Sequence, residues 1–178
     1  MVSEAKKGSD RILGPMASRS SASDLGGRVT TERGDRGSDR IRAFRTGRRL
    51  ALAAIFEAEF GQRTADAILE RHLAEIEGDA RAAELARSLV ANVLAHRDTI
   101  DATISRTAPQ YPVSTLAPMD RALLRSAIGE VLHSPTPARV AIAEWVELSR
   151  SYSGDPMRRL MNGVLGRIAN TVDRSSAS

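Results

Sequence analysis

The chain has 178 residues, 42% of them hydrophobic, 3% aromatic and none cysteine, with a formal net charge of +4. That length suffices for one domain with its own core, and the missing cysteine excludes a disulfide framework, a thiolate nucleophile and a thiolate-bound metal. Apolar runs fall far short of the roughly 18 residues of a membrane span, and the N-terminus lacks the apolar core of a secretory signal, so the expectation is a cytoplasmic protein with no membrane partner.

Charge is concentrated at one end. Residues 1–49 hold 12 of the 26 basic side chains and 6 of the 22 acidic ones, so they carry +6 and the rest of the chain −2. A basic arm on a slightly acidic body points to a polyanion partner, nucleic acid above all. A purely solubilising tail is the bland alternative. Residues 1–41 are built from Gly, Ser, Arg, Asp and Thr with almost no periodic apolar positions. Such a stretch cannot bury enough surface to offset its ordering entropy, which predicts a disordered basic arm. Gly8-Ser9-Asp10-Arg11-Ile12 recurs as Gly37-Ser38-Asp39-Arg40-Ile41, an echo too short to be a structural repeat.

From Thr46 onward the apolar spacing becomes helical. Leu52, Ile55, Phe56 and Phe60 share one face of a first helix ending at Gly61. Thr64 is placed to cap a second helix that runs to about Glu77, and Gly78-Asp79 to cap a third bearing Leu85, Leu89 and Val93. A fourth spans Arg97 to Arg106. Pro109, Pro112 and Pro118 forbid continuous helix over Thr107–Pro118, which becomes the connection between an N-terminal and a C-terminal helical subdomain.

Pro118 opens the fifth helix, with Met119, Leu123, Ala127 and Val131 on a broad apolar face. Thr136-Pro137 starts the sixth, on which Ala141, Trp145, Leu148 and Tyr152 form a stripe read as core. Gly154 ends it. Asp155-Pro156 starts the last helix, with Met157, Met161, Val164, Leu165, Ile168 and Val172 inward. No stretch alternates with period two between hairpin turns. The predicted fold class is all-α, a compact bundle of about seven helices, with residues 1–41 as the arm and 42–174 as the helical domain.

Catalytic chemistry is hard to find. His72, His96 and His133 are scattered and lack partners at ligand spacing, so no metal site is expected. There is no phosphate-cradling Gly-rich loop and no nucleophile elbow. Glu70, Glu75, Glu77 and Asp79 read as a solvated helix face. What stands out is arginine. Arg40, Arg42, Arg45, Arg48 and Arg49 lie within ten residues, where the arm becomes helix. Guanidinium groups bind phosphate bidentately and stack on bases, which suits single-stranded RNA. Arg45, Arg48 and Arg49 fall on one side of a helix, and Arg42, Arg45, Arg48 and Arg49 are the candidate RNA-binding residues. Spacing alone leaves RNA, DNA and an acidic protein open as partners.

Three segments resemble the NusB transcription-antitermination family. Asp120-Arg121-Ala122-Leu123-Leu124-Arg125-Ser126-Ala127 is similar to a family helix that opens on an acid, a base, Ala, a branched residue, Leu and Arg. Val140-Ala141-Ile142-Ala143-Glu144-Trp145-Val146-Glu147-Leu148 resembles its V-A-I-N-E-A-V-E-L, and Met161-Asn162-Gly163-Val164-Leu165 its F-V-N-G-V-L. Leu52-Ala53-Ala54-Ile55-Phe56 fits the first-helix motif, preceded by arginines as in the family. The resemblance covers roughly residues 45–172, with three departures: Ala143 replaces Asn, Trp145 a small residue, and Phe56 a Tyr.

The resemblance implies a non-enzymatic helical protein without a cofactor. It would pair with the ribosomal protein NusE, recognise boxA-type RNA and join the transcription elongation complex, notably in ribosomal RNA synthesis. Phe56, Asp120 and Asp155 are the implied partner-binding positions. Asn162-Gly163 in mid-helix implies a close approach by another helix, since Gly there costs about 1 kcal/mol against Ala. The same fold also resembles the N-terminal domain of ribosomal-RNA cytosine methyltransferases. Those continue into an α/β domain with a Gly-rich turn and a catalytic Cys, and this sequence contains neither.

Overall fold

A computed structural model describes the backbone of residues 24–75 and 78–176, and the side chains of 36–75 and 78–171. The chain divides into two units, Met1–Arg36 and Gly37–Ser178. In the first, residues 24–36 are helical backbone, while the expected disorder of residues 1–23 lies outside the described residues. All the packing below belongs to the second.

Among the described residues seven α-helices follow one another: α1 (Asp24–Ala58), α2 (Ala65–Ala74), α3 (Ala80–Ala95), α4 (Arg97–Thr107), α5 (Pro118–His133), α6 (Ala138–Ser153) and α7 (Asp155–Ser176). A single 3-10 turn, Val113–Thr115, interrupts the proline-rich connection, and the described residues contain no strand. The all-α expectation holds. Local chemistry sets most boundaries. The Asp79 side chain accepts from the Arg81 N–H to cap α3, and Pro118 sits in the first turn of α5. Gly61 and Gly154 take φ of 72° and 84°, a left-handed backbone that side chains resist, at the ends of α1 and α6.

Three boundaries differ from expectation. Helix α1 begins at Asp24 rather than near Thr46, because helical hydrogen bonding needs no apolar face; among the described side chains its burial starts at Ala43. Helix α2 stops at Ala74, and Ile76 and Glu77 lie outside the described residues. Helix α6 is capped by Pro137 rather than Thr136, whose N–H donates to Ser134 Oγ within the turn.

Helix α5 is the axle of the body. It packs on α3, α4, α6 and α7, and every residue from Ala122 to Val131 is buried, so burial extends all the way round and takes in Arg125, Ser126 and Glu130. One continuous core, with Leu52, Leu69, Leu89, Ile100, Leu123, Trp145 and Leu165 at its centre, joins the two expected subdomains. Each such side chain contributes roughly 1.5–3 kcal/mol on burial. Glycine permits the tightest approaches. A Cβ on Gly47 would come 2.7 Å from the Ala82 carbonyl oxygen of α3, and one on Gly129 3.1 Å from Val93 Cγ2. At Gly163 the expectation fails: nothing lies within 4 Å of the Cβ position, so this glycine faces open space rather than a helix. Tyr152 also departs from its stripe, standing 45% exposed while Trp145 is fully buried.

A buried polar knot ties the end of α1 to α4 and α5. Arg125 forks onto Asp101 with bonds of 2.8 and 2.7 Å and donates to Glu59 at 2.5 Å. Arg121 donates to the other Glu59 oxygen at 2.7 Å and to the Val113 and Leu116 carbonyls, pinning the proline-rich connection. Burial alone would lower the pKa of Arg125, but the two carboxylates outweigh it and hold it above its ordinary value.

Candidate nucleic-acid interface

The inward face of α1 is set by small and apolar residues at helical spacing, Ala43, Gly47, Ala51, Leu52 and Ile55, all buried. Arg42, Arg45 and Arg49 therefore recur at three- and four-residue intervals on the opposite, exposed face. Arg48 does not join them. It lies one turn before Leu52 and points inward, with its side chain 3% exposed. Its Nε and Nη2 donate to the two oxygens of Glu130 at 2.9 and 2.7 Å, and Trp145 Nε1 donates to the same carboxylate at 2.6 Å. Arg48 is thus removed from the RNA-binding candidates, because a guanidinium committed to a buried carboxylate cannot reach a phosphate. Three donors on Glu130 give the charged pair the extra hydrogen bonding that burial demands. Trp145, the departure from the family pattern, supplies one of them.

The outward arginines are available in different degrees. Arg45 grips Glu144 of α6 through Nε at 2.9 Å and Nη2 at 3.1 Å, and this bonding and charge raise its pKa. The pair is solvent-screened, with Arg45 58% exposed, so a phosphate can take the place of the carboxylate. Arg42 makes a long 3.4 Å contact with Asp39. Arg49 forms no salt bridge among the described residues. Arg40 lies over the Phe44 ring, 5.6 Å from its centroid.

Beside this stripe lies an apolar groove of about 380 Å³, lined by Leu52, Phe56, Phe60, Met119 and Tyr152, with Glu57 and His72 also in its lining. Phe56 and Phe60 meet edge to face at 5.3 Å. Asp120 follows Met119 and accepts a hydrogen bond from Ser153, the neighbour of Tyr152, which places its carboxylate at the groove's edge. Of the implied partner positions Phe56 lines the groove, and Asp120 is the sequence neighbour of Met119 in that lining. Asp155 is not in the lining; it is the exposed first residue of α7, and the Arg158 guanidinium holds its carboxyl below the usual range. Phe60, Met119 and Tyr152 were missed as surface residues, since apolar side chains at helical spacing carry no mark of which end of a stripe stays uncovered.

The histidines also differ from their scattered look. His96 and His133 stack with ring centroids 3.7 Å apart and planes 12° from parallel. His133 Nε2 is buried without a partner, and burial, then the charge of His96, pushes its pKa down. His72 Nε2 lies 3.2 Å from Glu57. Among the described residues no three His, Cys, Asp or Glu side chains are grouped to hold a metal ion, and no helix is long and apolar enough to cross a membrane.

The NusB family model matches residues 45–170, from Arg45 of the α1 stripe through most of α7. The chain belongs to the NusB family. A transcription antitermination protein NusB of Dehalococcoides mccartyi is 34% identical over 129 residues, 72% of this chain and 90% of the relative. One of Chloroflexus aggregans is 36% identical over 121 residues, covering 66% and 81%. Among solved structures, T. maritima NusB superposes with a TM-score of 0.66 at 32% identity over 71% of this chain and 89% of its own. A structure of antitermination factors NusB and NusE in complex with dsRNA shares the fold, with a TM-score of 0.63 at 22% identity, covering 73% and 98%. The matched span holds Arg45 and Arg49 of the stripe and the whole lining of the groove, while Arg42 lies just before it.

Proposed function

We propose that this NusB-family chain is a non-catalytic antitermination factor of the cytoplasm that binds boxA-type single-stranded RNA jointly with NusE. It would act within the elongation complex during ribosomal RNA synthesis. The observation that carries the reading is the outward stripe of Arg42, Arg45 and Arg49, exposed on one face of α1 while the fourth arginine is spent inside. The neighbouring groove supports a protein partner: its exposed apolar residues Phe60 and Tyr152 fit an apolar anchor, and Asp120 at its edge fits a basic side chain. On this reading residues 42–174 form the binding domain and residues 1–41 an appendage that adds positive charge.

The test is a titration of labelled boxA RNA and a scrambled RNA, with and without purified NusE. Binding that prefers boxA and tightens with NusE is expected, and boxA must then tighten NusE binding by the same factor. Equal affinity for both RNAs, or independent binding of NusE and boxA, would remove the reading. D120K serves as the matching variant. It is expected to weaken the NusE complex while leaving the thermal midpoint nearly unchanged; normal NusE affinity would return Asp120 to a purely local role in the first turn of α5.

A further inference from the structure

Far along the chain from the arginine stripe, the proline-rich connection and α7 border two adjoining grooves that share Gln110 and Arg167. One, of about 590 Å³, lies between the end of α4 and α7 and includes Arg106; the other, of about 330 Å³, includes Tyr111, Arg159 and Gly163. Among the described residues no Asp or Glu lines either groove. Arg106, Arg159 and Arg167 are all exposed, and none forms a salt bridge among the described residues. Two are held in place by neutral acceptors: Arg167 Nη1 donates to the Thr107 carbonyl at 2.6 Å, and Arg106 Nη2 to Thr103 Oγ1 at 3.0 Å. Each therefore keeps its full charge and further N–H groups for a ligand.

The rest of the lining narrows the ligand class. Tyr111 is 43% exposed, a ring available for stacking. Gln110 offers an amide for hydrogen bonding, and the bare backbone at Gly163 leaves the α7 side open to close approach. The apolar side chains here, Leu132, Leu160 and Ile168, are buried or half-buried, so the groove lacks the protruding anchors of a protein-docking site. Arginines without carboxylate partners, an exposed aromatic and a free amide are what single-stranded RNA requires for its phosphates, base faces and base edges.

We propose that this α4–α7 groove is a second RNA-binding surface, with backbone phosphates on Arg106, Arg159 and Arg167 and one base stacked on Tyr111. The inference rests on the RNA-binding reading above and extends the RNA beyond the α1 stripe. Gly163, which no helix approaches, then has a role: it keeps the groove wall flat.

The experiment compares a short RNA of roughly boxA length with one about twice as long, using the full chain with NusE. R106Q/R159Q and Y111A are expected to weaken the longer RNA roughly fivefold or more and to leave the short one unchanged. The double variant should also flatten the salt dependence of the longer RNA by about 0.7 for each phosphate it no longer holds. Y111F should bind as the parent does, since the ring and not the hydroxyl stacks. Unaltered affinity of the folded variants for the longer RNA would overturn the groove while leaving the boxA reading intact. A parent chain that binds neither RNA would overturn both. Loss of NusE binding in R106Q/R159Q, with RNA affinity kept, would assign the groove to protein and overturn it too.

Discussion

Arg48 and Arg49 are adjacent in sequence and opposite in fate. Arg48 turns into the body and closes on Glu130 and Trp145, whereas Arg49 stands in solvent without an ion pair among the described residues. The same contrast separates Arg125, forked onto Asp101 and Glu59, from Arg106 and Arg159 in their acid-free grooves. Inward arginines come with carboxylates matched to every donor direction that burial leaves, because an unpaired buried charge is too costly to keep. Outward arginines need no such match. A cluster of arginines in a sequence is therefore two populations, one that builds the molecule and one that is free to bind.

Removing an inward arginine is expected to have the largest effect. R48A strands Glu130 in the core with only the Trp145 indole as donor, and should lower unfolding free energy by roughly 3–5 kcal/mol in urea denaturation. A drop below about 1 kcal/mol would mean that the clamp is not a structural element. R45A/R49A sits on the other side of the contrast. It should leave the urea midpoint close to that of the parent, yet flatten the dependence of log affinity on log salt by roughly 0.7 for each phosphate released from the stripe. A parental slope would show that the stripe faces away from RNA.

A smaller effect tests burial without a partner. His133 keeps its neutral form in the fold, its pKa held below the ordinary 6.5, so the unfolded chain binds more protons as pH falls through that value. Stability should therefore drop on acidification below about pH 6.5 and level off once the folded pKa is passed. Comparing thermal midpoints of parent and H133Q across this window isolates the effect; equal pH profiles would count against it. The smallest change is expected on deleting residues 1–36, which leaves every core side chain among the described residues in place. The shortened chain should melt cooperatively within a few degrees of the parent, and loss of its helical circular dichroism would end the view of this segment as an appendage.

Much of the fold was readable because its helices carry their own punctuation. Asp79, Pro118, Gly154 and Asp155 mark helix ends by local chemistry that needs no knowledge of the rest. The onset of α1 was not readable, since the sequence of its first turns has no apolar period. Arg48 escaped notice because its partner is 82 residues away. Its position one turn before Leu52, in line with the apolar stripe, was a usable sign, as was Glu130 between Ile128 and Val131 on the broad apolar face of α5. The groove residues Arg106, Arg159 and Arg167 come from α4 and α7 and show no clustering along the chain. Only the packing of α7 against α4 brings them to one place.

The Arg48–Glu130 clamp also has a consequence for the order of events during synthesis. Glu130 follows Arg48 by 82 residues, a gap that a ribosome covers in roughly 4–16 s at ~5–20 residues per second. Through that interval the nascent α1 holds an inward arginine with no carboxylate to receive it, and Trp145 follows only after Glu130. The outward stripe on the same helix can be fixed in register only once α5 and α6 have emerged. The proposed RNA-binding face on the first helix is thus licensed by residues translated near the end, and a chain stalled before Glu130 should present its arginines without the geometry to use them.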